Sequence, residues 1–278
     1  MNFLALLLVA VVEYFSSWRK AVQKDGLWLG LYRRLATDAG SGPKNWLRLI
    51  ILVMPALVLG WVLDWVEGWL FGLVGLLIHM LVLLYSFGRG GIKPHLESFR
   101  NACSQNDQES AYLIARQNLG VDAEDPKDLA LGVQKAMLWQ AFDGFFAVAF
   151  WYVLLGPQLA LAYRLLALAS EQTEPSALRN LALRWRHVLD WLPARALALS
   201  FGLVGNFAAF SKVFVKMLFD PGIKSADLLR RVGRAATDDD VPTLDFRGNA
   251  YLDELWRLVV RAGVLWCALL ALWVVFVR

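Results

Sequence analysis

Cysteine and histidine are scarce: the 278 residues hold two of the first and three of the second. Cys103 lies in a polar stretch and Cys267 inside an apolar run. That spacing excludes a disulfide framework and a paired-cysteine zinc site. His79, His95 and His187 are far apart, and only His187 stands near a group of interest, Asp190. Alternation of strand type is missing, and so is an internal repeat. Nothing fits the phosphate-binding pattern G-x-x-x-x-G-K-[ST]. Gly40-Ser41-Gly42-Pro43-Lys44 and Gly88-Arg89-Gly90-Gly91 come nearest, and both read as turns beside apolar segments. The residues therefore call for no metal and no cofactor.

What is abundant is apolar. Hydrophobic residues make up 58% of the chain, against about 45–50% in soluble domains. They are clustered in blocks, which is the membrane pattern. The net charge of +4 does not argue for nucleic acid, because the Lys and Arg flank apolar blocks, where membrane topology accounts for them. Trp18, Trp46, Trp65, Trp69 and Trp256 stand at block edges, and Trp favours the membrane–water interface.

A spanning helix needs about 20 mostly apolar residues. Met1–Ser17 is slightly short, yet adequate if Trp18, Arg19 and Lys20 anchor its end. It lacks a basic leader and a small-residue cleavage site, so it reads as a retained segment. Trp46–Leu63 and Trp69–Phe87 form a hairpin around Asp64–Gly68, and Leu258–Val277 is the last clear span. Ala141–Ala169 is interrupted by Gly156-Pro157. Leu192–Phe210 carries Pro193 and Arg195 at its start and Gly202, Gly205 and Asn206 further on. Proline ends or kinks helices, so both segments are expected to be broken or re-entrant. Irregular backbone at membrane depth is tolerated where protein buries it or water reaches it.

Charge sets the orientation. The Asp64–Gly68 turn has no Lys or Arg. The 16–46 segment before it holds Arg19, Lys20, Lys24, Arg33, Arg34 and Lys44. The 88–140 segment after it holds Arg89, Lys93, Arg100, Arg116, Lys127 and Lys135. The positive-inside rule places the turn outside and both flanks in the cytoplasm. The 211–257 loop is also basic and expected inside. A single full crossing at 141–169 would put Arg179, Arg184 and Arg186 outside, so a re-entrant reading is preferred.

The expected architecture is an all-α integral membrane protein. It has about four clear transmembrane spans, two broken or re-entrant segments and cytoplasmic helices. The whole 1–278 chain is read as one membrane domain with a cytoplasmic helical insertion, 88–140, and a cytoplasmic loop, 211–257. Within the insertion, Ile92, Leu96, Phe99 and Cys103 recur at helical spacing. Asn106-Asp107 can cap a helix that runs to Leu119 and stops at Gly120. Asp125-Pro126 opens another with Asp128 in its first turn, running on into the apolar stretch at 141. Ala235–Pro242 reads as a flexible loop.

Charges inside apolar stretches are the candidate functional residues. Glu13 lies at the end of the first segment, as an intramembrane group or an interfacial partner of Arg19 or Lys20. Asp143 needs a partner if buried, and Arg164 and Arg195 are the natural ones. Asp190 is expected to cap a helix beginning at Trp191-Leu192-Pro193. Arg195, near that helix start, is placed to hold an anion. Asp143, Arg164, Asp190 and Arg195 are expected to form one neutral cluster, structural or ligand-binding.

Several runs carry a family resemblance. Val188-Leu189-Asp190-Trp191-Leu192-Pro193-Ala194-Arg195 resembles the "D-W/Y-I/V-P-A-R" element of the AmpE and CobD/CbiB superfamily. Phe150-Trp151, Leu155-Gly156-Pro157 and Leu161-Ala162-Tyr163-Arg164 match its "LFW…LGP…YR" element in order and spacing. Asp107–Arg116 resembles the preceding "D-x-E…A-R" helix, and Asp143-Gly144 a "D-G" pair. In the CobD/CbiB branch the resemblance implies ATP-dependent amide synthesis on a corrinoid. In the AmpE branch it implies an inner-membrane protein tied to β-lactamase induction and peptidoglycan recycling. The departures favour the second. Trp139-Gln140 stands where synthases have "E-N", and Leu165–Ala169 replaces a polar "A-x-N-T-L-D" run. Glu13-Tyr14-Phe15 stands in place of "G-E-P…H-P". Activated-carboxylate chemistry needs groups that clamp phosphate and Mg²⁺, and an apolar run supplies none.

The implied protein is multi-pass, in a bacterial inner membrane, sensing or relaying cell-wall status. Its expected partners are the bilayer, cell-wall recycling or other inner-membrane proteins, and an anionic small molecule at the cytoplasmic face. A membrane ligase or transferase with altered substrate is the alternative, and a small transporter a second one.

Overall fold

The structure is a computed structural model describing residues 5–6, 8–9, 23, 25–37, 44–66, 72–88, 92–220, 222–237 and 250–277. Every regular element among them is helical. The chain forms two compact units: Met1–Arg89 with Ala147–Asp190, and Gly90–Phe146 with Trp191–Arg278. Most of the first apolar segment, Glu13 and residues 238–249 lie outside the described residues, as do Glu67 and Gly68 of the expected Asp64–Gly68 turn.

In the first unit, the Pro157–Ser170 helix packs against Lys44–Val66, Leu73–Ser86 and Ala147–Leu155. The break expected at Gly156-Pro157 is present. Gly156 adopts φ 88° and ψ −175°, a region open essentially to glycine alone. Pro157 then opens the next helix, where its missing N–H costs nothing. Leu165, Leu166, Leu168 and Ala169 pack with Trp28, Tyr32, Leu49, Leu52, Leu178 and Ala182 in one apolar core. The Gly26–Thr37 helix brings Trp28 and Tyr32 there, stacked at 5.7 Å between ring centroids.

The second unit starts from well-capped helices. Ile92–Ser104 buries Leu96, Phe99 and Cys103. Asp107 accepts from the Ser110 amide at 3.0 Å and opens Gln108–Leu119, which closes on left-handed Gly120. Asp125 accepts from the Asp128 amide at 2.6 Å ahead of Pro126. All three helices agree with the sequence reading: the first through the helical spacing of its apolar residues, the other two because capping at Asp107, Gly120 and Asp125 sets their ends. Pro126–Ala141 then continues through a π-helical turn, Phe142–Phe146, into Ala147–Leu155. Phe207–Met217, Ser225–Thr237 and Ala250–Val277 complete the unit.

Pro193 corrects an expectation. It neither starts nor breaks a helix; it lies inside Ala177–Val204. Proline within a helix costs about 3 kcal/mol, and here tertiary burial of Ala194, Leu197, Ala198 and Phe201 outweighs it. The interruption falls later, at Gly205-Asn206, where Asn206 caps Phe207–Met217 through the Ala208 and Ala209 amides.

Among the described residues, three helices are long and apolar enough to cross a membrane: Lys44–Leu63, Pro126–Leu155 and Leu252–Trp273. Leu73–Ser86 is a shorter apolar helix. Pro126–Leu155 is one helical stretch, in agreement with the expectation that the capped helix at Asp125-Pro126 runs on into the apolar run at 141. Along Lys44–Val66, Trp46, Ile50, Leu57 and Trp61 are exposed, a surface that suits lipid and not water.

Candidate functional site

In the first unit the charged positions are built on two helices. Tyr163 and Arg164 follow one another on Pro157–Ser170, so their side chains diverge by about 100°. Tyr163 donates its hydroxyl to Asp190 Oδ1 at 2.7 Å. Asp190 Oδ2 lies 3.6 Å from Arg186 Nε, one helical turn earlier. Arg186 Nη1 donates to Ser170 Oγ at 2.9 Å and to Glu171 Oε1 at 3.3 Å. Asp190, Arg186 and Ser170 are all buried. Asp190 therefore caps nothing, contrary to expectation: the helix already runs through it, and its carboxylate anchors a side-chain network.

Arg164 is 2% exposed. Tyr85 donates to Asp25 Oδ1 at 2.8 Å, and Asp25 is buried. Gln23 caps the end of Leu73–Ser86 by donating to the Leu84 and Phe87 carbonyls. Buried charge is costly without such partners.

Asp143 and Arg195 belong to the second unit. Asp143 is half-buried in the π-helical turn Phe142–Phe146. Such turns recur at functional positions. Arg195 sits well inside a helix and not at its start, so backbone donors of a helix N-terminus do not surround it. Its Nε donates to the Leu218 carbonyl at 2.6 Å. Nη2 donates to those of Asp220 and Met217 at 2.8 and 3.5 Å, and Nη1 to that of Trp191 at 3.2 Å. The guanidinium also lies 4.0 Å above the Trp191 ring. Arg195 thus closes the C-terminus of Phe207–Met217, where carbonyls and the helix dipole favour a cation.

Lys135 Nζ and Asp227 Oδ1 pair at 2.8 Å in the same unit. Burial by itself would raise the Asp227 carboxyl. The Lys135 hydrogen bond and the charges of Lys135, Arg230 and Arg231 outweigh burial and hold it below the usual range.

The expected four-residue cluster thus draws Arg164 and Asp190 from the first unit, and Asp143 and Arg195 from the second. Arg186, Ser170, Asp25 and Tyr85 were not singled out. The i,i+4 spacing of Arg186 and Asp190 was the one available signal; the others depend on long-range contacts.

The Regulatory signalling modulator protein AmpE family matches residues 1–234. The chain belongs to the AmpE family. It is 29% identical over 143 residues to Protein AmpE of Shigella flexneri, covering 47% of this chain and 50% of that protein. It is also 29% identical over 147 residues to the cobalamin biosynthesis protein CobD of Chromobacterium violaceum, covering 49% of this chain and 46% of that one. The chain thus spans about half the length of the curated relatives it matches. No solved structure matches it. The matched residues include the D-W-L-P-A-R and L-G-P…Y-R runs, in which Gly156, Tyr163 and Asp190 have visible structural duties.

Proposed function

We propose that this AmpE-family protein is a multi-pass inner-membrane protein that senses or relays cell-wall recycling status during β-lactamase induction and the response to β-lactams. The observation that carries this is the fate of Leu165–Ala169. Synthase relatives are expected to place polar groups there. Here Leu165, Leu166, Leu168 and Ala169 are core residues against Trp28, Tyr32 and Leu52. A packed apolar wall offers no ligands for phosphate or Mg²⁺. In this reading the Asp64–Gly68 turn faces the periplasm, and 88–140, 170–190 and 211–257 face the cytoplasm. Asp143, Arg164, Asp190 and Arg195 are charges that either hold the apolar segments together or bind a ligand, and the partner is an anionic small molecule or a cell-wall recycling protein. Deleting the chain should change the β-lactamase level induced by a β-lactam, and reintroducing it should restore that level. Induction identical with and without the chain would sink the proposal.

A membrane-bound ligase is the second reading, favoured by the likeness to CobD over nearly half the chain. Restored corrinoid amidation in a strain lacking the synthase would select it.

A further inference from the structure

The second unit contains a tight helical hairpin whose tip neither reading uses. Its arms are the Trp191–Val204 part of one helix and Phe207–Met217. The turn is Gly205-Asn206, with the Asn206 amide on the Ala236 carbonyl at 2.8 Å. Gly202 lets the Phe210 ring lie where a Cβ would otherwise stand, at 2.3 Å. Arg195 closes the base through the Leu218 and Asp220 carbonyls. One arm is tied to the last apolar helix, where Trp266 Nε1 donates to Ser200 Oγ at 2.8 Å. Trp266 lies well within the Leu252–Trp273 segment.

The tip of this hairpin is apolar and uncovered. Leu199, Leu203 and Phe207 are 47%, 67% and 60% exposed. Further along the second arm, Lys212 and Lys216 are exposed. Successive helical residues turn by about 100°. On this wheel Phe207, Phe210, Phe214 and Met217 share one face, of which Phe207 at the tip is exposed and the other three are buried, and exposed Val215 stands between that face and the one that carries Lys212 and Lys216. Lys212 stands about 8 Å along the helix from Phe207 at 1.5 Å per residue. Apolar faces of interfacial helices enter the bilayer by about 5–10 Å.

We propose that the 191–219 hairpin dips its Leu203–Phe207 tip into the bilayer beside the last span, and that Lys212 and Lys216 hold anionic phospholipid headgroups. The tip supplies depth and the lysines supply charge selectivity, with their aliphatic stems lying along the apolar face. The proposal rests on the membrane reading of Leu252–Trp273.

The test uses the full chain in phosphatidylcholine nanodiscs with and without phosphatidylglycerol. Cys103 and Cys267 are replaced, and single nitroxides are placed at Leu203, Phe207 and, as a control, Leu269. All three should meet oxygen in preference to a water-soluble nickel chelate. Spin-labelled phosphatidylglycerol should associate more strongly than spin-labelled phosphatidylcholine. Lys212→Gln with Lys216→Gln should erase that preference, by about fivefold per lysine. Lys212→Arg with Lys216→Arg should keep it. Nickel access at Leu203 and Phe207 with Leu269 in lipid would overturn this proposal alone. Nickel access at Leu269 as well would overturn the membrane reading beneath it. Labels shielded from both reagents and broadened by each other would put a second copy on the face, and selectivity surviving the Gln pair would remove the lysines; either result overturns the proposal.

Discussion

The Tyr163 hydroxyl holds Asp190 Oδ1 at 2.7 Å, with Tyr163 fully buried and Asp190 nearly so. This contact joins the Y-R and D-W-L-P-A-R runs of the family pattern. The other oxygen of the same carboxylate faces Arg186. Removing different members should therefore cost different amounts. Tyr163→Phe loses one hydrogen bond to a charged acceptor, about 1.5–3 kcal/mol. Asp190→Ala loses the same bond from the other side, takes the acceptor away from the buried Tyr163 hydroxyl and leaves Arg186 with Glu171 as its remaining carboxylate, a larger cost of about 3 kcal/mol or more. Denaturation midpoints in detergent micelles rank the two, and a smaller loss for Asp190→Ala than for Tyr163→Phe would contradict the network.

Arg195 should behave as a helix cap, with its shape as important as its charge. Arg195→Lys keeps the cation but loses the planar fork that spans the Leu218 and Asp220 carbonyls, and the two side chains are not interchangeable at such a site. Hydrogen exchange should speed up around residues 215–222 in Arg195→Lys. Unchanged protection there would show that the fork is dispensable.

Gly156→Ala should destabilise the first unit by about 1–3 kcal/mol, because φ 88° with ψ −175° is open essentially to glycine. A Cβ would also come within 2.9 Å of the Gln158 side-chain oxygen. The thermal midpoint of purified protein checks this, and a neutral substitution would mean that the break at Gly156-Pro157 is adjustable.

The Asp227 carboxyl titrates below its ordinary range in the folded protein. A depressed folded pKa contributes stability above the unfolded value of about 3.9, which is lost as pH falls through the folded value. Asp227→Asn should remove that contribution. Its cost near neutral pH should be about 0.5 kcal/mol, since the pair is partly exposed. The difference between the proteins should shrink on acidification. A gap that widens toward low pH would reverse the assigned sign.

Much of the fold is legible in the sequence, because capping is local chemistry. Asp107, Gly120, Asp125 and Pro126 determine helix ends through their own backbone preferences and short side-chain bonds. Gly156-Pro157 does the same for the break in the long apolar segment. Apolar blocks likewise mark membrane-type helices by length and composition alone. Pro193 shows where local reasoning stops. Whether proline ends a helix depends on what surrounds it, and the burial of Ala194, Leu197 and Phe201 is a tertiary fact. With the helix continuous, Asp190 stopped being a cap and became the acceptor of Tyr163, a residue 27 positions away. Arg195 likewise found the end of a later helix. The sequence by itself determined which residues carry charge in an apolar setting and that each needs a partner. Only the tertiary structure decided the partners, because a buried charge is satisfied by whichever polar group folding brings within hydrogen-bond reach, and sequence distance does not measure that.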